Sequence, residues 1–166
     1  MSSETTTVRS EQNTADRAAI INTVNQYFQR LDRHEWETLQ SCLAEGELTI
    51  DFTAMFGGEP TSPTADEQVE LSRQLSSGFD ATQHMVSSHV VTIDGDEAIC
   101  ETSIQVTMFL PNDRGDDFWE GAGFGDFNLV REERGWHIAG ITMTRLWAEG
   151  NGELFELATD RFEENE

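Results

Sequence analysis

The chain has 166 residues, with 32 Asp and Glu against 10 basic residues and a formal charge of -22. At this length one hydrophobic core can bury roughly 70% of the unfolded surface, and 37% hydrophobic residues, including 10 Phe and 4 Trp, suffice to fill it, so one folded domain is expected. The acid excess excludes a nucleic-acid binder and a protein drawn to an anionic membrane, because both need clustered basic side chains.

Residues 1–12 are rich in Ser, Thr and Glu without apolar period, so a disordered tail is expected there, followed by a single domain over 13–150 and an acidic extension over 151–166. The opening residues lack the basic and apolar regions of a signal peptide, and no apolar run approaches the roughly 20 residues of a bilayer span, so a cytoplasmic location is expected. Asn13 and Asp16 have capping-box spacing. Ile20, Val24, Tyr27 and Leu31, flanked by Ile21 and Phe28, then form a helical apolar stripe that predicts a long helix to about Arg33. Asp32 and Glu35 repeat the capping spacing, and Trp36, Leu39, Cys42 and Leu43 form the buried side of a short second helix. Leu48, Ile50 and Phe52 alternate with polar neighbours, as in a strand.

The stretch from Met55 to Thr64 is broken by paired glycines and two prolines. Thr64 and Glu67 then predict the start of a third helix with Val69, Leu71, Leu75 and Phe79 as its apolar positions and Gly78 as its stop. From His84 the period changes to two. Segments 84–93 and 97–110 are joined at Asp94-Gly95, a dipeptide suited to a tight hairpin, and further turns at PNDRGDD and EERG complete a four-strand antiparallel meander. Gly121, Gly123 and Gly125 alternate within a strand, where glycine marks a bend or a close approach. The class is α+β, with a strongly curved antiparallel sheet wrapped around the N-terminal helices. Its outward parity carries Met85, Val91, Ile99 and Phe109, which predicts self-association as a homodimer or higher homo-oligomer.

All 10 basic residues are Arg and none is Lys. An acid-coated, lysine-free surface stays hydrated in molar salt, where screening removes its self-repulsion, and in this respect the chain resembles proteins of extremely halophilic archaea. Cys42 and Cys100 lie far apart and read as buried small hydrophobes. The four histidines show no metal-ligand spacing, so neither metal nor cofactor is expected.

The segments YFQRLDRHEWETL, LTIDF, TQHMVSSHVVTIDGDEAI and GWHIAGITMTRLW, in this order over about residues 14–148, resemble the SnoaL-like group of the nuclear transport factor 2-like superfamily. The resemblance implies a cone-shaped α+β barrel like that of scytalone dehydratase and ketosteroid isomerase. It places Asp32 and His84 where scytalone dehydratase has a catalytic aspartate and histidine, while Leu31 and Phe52 stand where that dehydratase has tyrosines and Met108 or Phe109 falls near its second pocket histidine. An imidazole can move protons, and a carboxylate can fix its tautomer and orientation. The implied function is a cofactor-independent lyase or isomerase acting on a small, mostly apolar molecule. The alternative is a non-catalytic ligand-binding or accessory subunit resembling ring-hydroxylating dioxygenase β subunits.

Simpler readings stand beside these. Asp32 also fits a cap of the second helix, and His84 shares parity with Val86 and Val90, as a core residue would. Tyr27, Phe52, Phe56, Met108 and Phe124 suit either a core or the wall of a pocket. Asp126 lies among the glycines, where parity leaves its direction open, and His89, of opposite parity to His84, is expected at solvent or an interface.

Overall fold

A computed structural model describes the backbone of residues 2–165 and the side chains of residues 11–165. Helix α1 runs Ser2–Asp32 and buries Ile20, Val24, Tyr27, Phe28 and Leu31 along one stripe. It therefore starts well before Asn13, where a loose tail was expected. Residues 2–12 contain neither Gly nor Pro, and extending a helix already nucleated by packing costs far less than starting one. Asn13 accepts from Arg17 rather than capping. A turn through His34, at φ 55°, leads to α2, Trp36–Gln40. Residue Glu35 stands at the start of α2 without a side-chain capping bond, so Asp32 does not cap it.

Strand β1, Thr49–Asp51, pairs in parallel with the last strand, and a single turn of helix, α3, Thr53–Phe56, follows it. Helix α4, Ala65–Ser76, begins at the expected capping box between Thr64 and Glu67. The meander comprises β2 (Ala81–Asp94), β3 (Glu97–Phe109), β4 (Phe118–Glu132) and β5 (Gly135–Gly150), and the sheet order is β1-β5-β4-β3-β2. β1 and β2 lie at opposite edges, so the mixed sheet curves without closing into a barrel. Its concave side takes α1, and Cys100, Phe127, Leu129, Ile138 and Ile141 are fully buried beneath that helix. No described helix is long and apolar enough to cross a membrane.

Three features depart from the sequence reading. β2 carries a bulge between Ser87 and Val90, with Ser88 at φ 56°, and the extra residue reverses the parity beyond it. Val91 is thereby buried in the core, not on the outer face, and His89 turns toward α1, where its Nε2 pairs with Asn25 Oδ1 at 2.8 Å. The outer face exposes Met85 and Ile99 together with Val90 and Trp147, and Asp126 is exposed opposite Glu101.

Helix α4 follows its apolar pattern only in part: Val69 packs against the core and Phe79 is buried, but Gln68, Ser72 and Ser76 are buried as well, whereas Leu71 and Leu75 are 40% and 41% exposed. The C-terminal residues are part of the fold. Helix α5, Leu154–Glu164, buries Leu154 and Ala158 in a second cluster with Phe79, Leu110 and Trp119. Arg161 ties it to Asp80.

Candidate active site

The site forms where the end of α1 meets the start of β2. Asp32 is the last residue of α1, so its side chain leaves the helix toward the sheet, and there it collects three donors. Thr82 Oγ1 donates to Oδ1 at 2.9 Å, the His84 main-chain amide donates to Oδ2 at 2.7 Å, and His84 Nδ1 lies 2.6 Å from Oδ1. An ionised carboxylate is acceptor-only, so Nδ1 carries the proton in this pair. The side chains are only 14% and 12% exposed, and Phe28 stacks on the imidazole at 5.1 Å between ring centroids. The ring is thus fixed on one edge by charge and on one face by packing.

With Nδ1 committed to Asp32, Nε2 is the nitrogen left for chemistry. His84 lines a cavity of about 160 Å³ between α1, α4, the concave sheet and α5, and among the described residues none hydrogen-bonds Nε2. The wall is mostly apolar. Tyr27, Phe52 and Met108 line it, and so do Phe56 and Phe124, which are 60% and 47% exposed; Phe124 lies opposite Ser103 in the sheet. Gly121 is required here, because a Cβ would fall 2.7 Å from the Trp119 ring, which is itself part of the wall.

The structure also brings in residues the sequence reading missed. In the sequence Phe28 reads as core and Thr82 carries no signal, yet Phe28 stacks on the imidazole and Thr82 donates to Asp32. Gln68 and Ser72 come from the inward polar side of α4 and line the cavity together with Tyr27. Burial pushes the Tyr27 phenol above its ordinary range, an effect those two neighbours oppose. Phe155, from α5, closes the far wall. The four-residue spacing of Gln68, Ser72 and Ser76 was the available signal. Among the described residues, no three His, Cys, Asp or Glu side chains gather as a metal site would require.

A curved, open mixed sheet that folds a helix against its concave side is the α+β cone of the nuclear transport factor 2-like superfamily. Within it the chain belongs to the SnoaL-like domain family, whose sequence model matches residues 12–142. Among solved structures it is similar to the Kfla4162 protein of Kribbella flavida, at 30% identity and TM-score 0.80 over 88% of this chain and 98% of that one. It is also similar to a candidate scytalone dehydratase from Novosphingobium aromaticivorans, at 15% identity and TM-score 0.74 over 86% and 91% of the two chains. A type 2 hexachlorocyclohexane dehydrochlorinase matches at 12% identity and TM-score 0.72 over 86% and 93%. The last two likenesses concern the fold alone. No curated protein matches the chain.

Proposed function

We propose that the protein is a cofactor-independent lyase or isomerase that transfers a proton on a small, mostly apolar molecule, with His84 as the acid–base residue and Asp32 as the group that holds it. The observation carrying this reading is the Asp32–His84 contact at 2.6 Å beside a largely apolar cavity. Nε2 would take a proton from substrate carbon or give one to a leaving oxygen, while Asp32 stabilises the imidazolium formed in between. Tyr27 would serve as a hydrogen-bonding group for a substrate oxygen. Structural relatives named for dehydration and dehydrochlorination agree with elimination chemistry on this scaffold.

Leu31 and Phe52 line the cavity, and these hydrophobic side chains offer no hydroxyl to hold a water. That observation favours a second reading, ligand binding without turnover. Both are tested by offering single-ring β-hydroxy ketones and β,γ-unsaturated ketones to the protein and following water loss or double-bond migration by NMR. The proposal expects turnover that falls at least about 100-fold in His84→Ala. Binding without turnover, unchanged in His84→Ala, would support the accessory reading instead.

A further inference from the structure

Helix α4 departs in part from its own apolar pattern. It turns Gln68, Ser72 and Ser76 into the protein, beside Leu75 at the cavity, and leaves Leu71 two-fifths exposed, an arrangement that burial energetics alone would disfavour. Departures of this kind gather where function overrides packing. The inward residues line the cavity together with Tyr27. Ser72 satisfies its own proton by donating from Oγ to the Gln68 carbonyl at 2.9 Å. The Gln68 side chain has no comparable closure: the residue is 2% exposed, and its Oε1 has no hydrogen-bond partner. A buried acceptor without a donor costs about as much as a lost hydrogen bond. A donor supplied by a ligand would remove that cost, and the soft terminal torsion of an amide lets Oε1 turn toward one.

We infer that Gln68 is a specificity-determining residue: its Oε1 accepts a hydrogen bond from a hydroxyl or N–H group on the cavity's ligand, which makes that ligand a compact, apolar molecule with a neutral donor rather than a plain hydrocarbon or an anion. The size fits a single ring, since a cavity of about 150 Å³ is known to hold benzene and this one measures about 160 Å³. The inference rests on the cavity being the ligand site of the proposed function and adds the ligand's polarity to it. It does not depend on catalysis.

The test is a pair of isosteric probes, p-cresol and p-xylene, titrated calorimetrically into the full chain. In the wild type, p-cresol gains from the Gln68 acceptor. In Gln68→Leu and in the unbranched Gln68→Met, the preference for p-cresol over p-xylene falls about tenfold or more while p-xylene binding persists, which also shows that the variants are folded. His84→Ala leaves the preference intact. The same preference in wild type and both Gln68 variants would overturn the inference and leave the proton-transfer reading standing. Loss of the preference in His84→Ala alone would do likewise, by placing the acceptor at the imidazole Nε2. Binding of neither probe to the wild type would overturn both.

Discussion

Gly78 lies against Ala158 so closely that a Cβ on the glycine would fall 1.8 Å from the Ala158 carbonyl oxygen. The bare backbone after α4 is therefore the seat on which α5 rests, and α5 in turn supplies Phe155 to the cavity wall. Neither carbonyl nor helix can yield without withdrawing the cluster around Leu154 and Phe79. Gly78→Ala should cost about 1–3 kcal/mol through overpacking, and calorimetry should show a melting temperature several degrees lower. An unchanged melting temperature would mean that α5 is not seated as described.

Much of this architecture was legible because local chemistry and tertiary structure agree. The α1 stripe, the Thr64–Glu67 capping box and the Asp94-Gly95 turn each state their element in a few residues, and the family resemblance fixed their order. Three things were not legible. One extra residue in β2 reversed the parity of His89 and Val91, and no sequence period signals a bulge. α5 looked like an acidic extension because only Leu154 and Ala158 are buried deeply, and their partners lie far away in sequence. The inward face of α4 is hidden in the sequence because its buried residues, Gln68, Ser72 and Ser76, are polar. At the site, the position of Asp32 could be read, but the choice between capping α2 and binding β2 depended on how α1 meets the sheet.

Asp16 ties α1 to the far end of the sheet. Arg131 donates to both its oxygens at 2.9 and 2.8 Å, and Trp136 Nε1 donates at 3.2 Å. The Arg131 hydrogen bonds hold the Asp16 carboxyl well below the usual carboxylate range, against the opposing effect of burial. Because the folded state binds this proton less readily than the unfolded chain does, the pair's contribution is complete above about pH 4 and is lost as pH falls further. Asp16→Asn should cost roughly 2 kcal/mol at pH 7. The difference from wild type should shrink below pH 4 in denaturant titrations.

Tyr27 is the single tyrosine of the chain, so its ultraviolet absorbance reports one phenol without ambiguity. Burial raises its pKa, Gln68 and Ser72 notwithstanding. The folded protein therefore keeps a proton that the unfolded chain releases near pH 10, and stability falls as pH rises above that point. A native titration should show the phenol ionising only above the midpoint measured in denaturant. Coincident midpoints would place the hydroxyl in water.

The charge of -22 without a single lysine gives the surface its own test. Like charges at this density repel once screening is weak, and the Debye length shrinks from about 10 Å at 0.1 M salt to about 3 Å at 1 M. The melting temperature should rise steadily from 0.1 to 3 M KCl. A flat or falling curve would contradict the adaptation to high salt read from the composition.

The central claim is that Asp32 fixes His84 in one tautomer, with Nδ1 protonated and Nε2 left to exchange protons at the cavity. Nitrogen-15 NMR of the imidazole measures this directly, because protonated and unprotonated ring nitrogens resonate far apart. In the neutral ring the account predicts a protonated Nδ1 and a bare Nε2, with that preference weakened in Asp32→Asn. A neutral His84 protonated at Nε2, or a tautomer indifferent to Asp32→Asn, would contradict it.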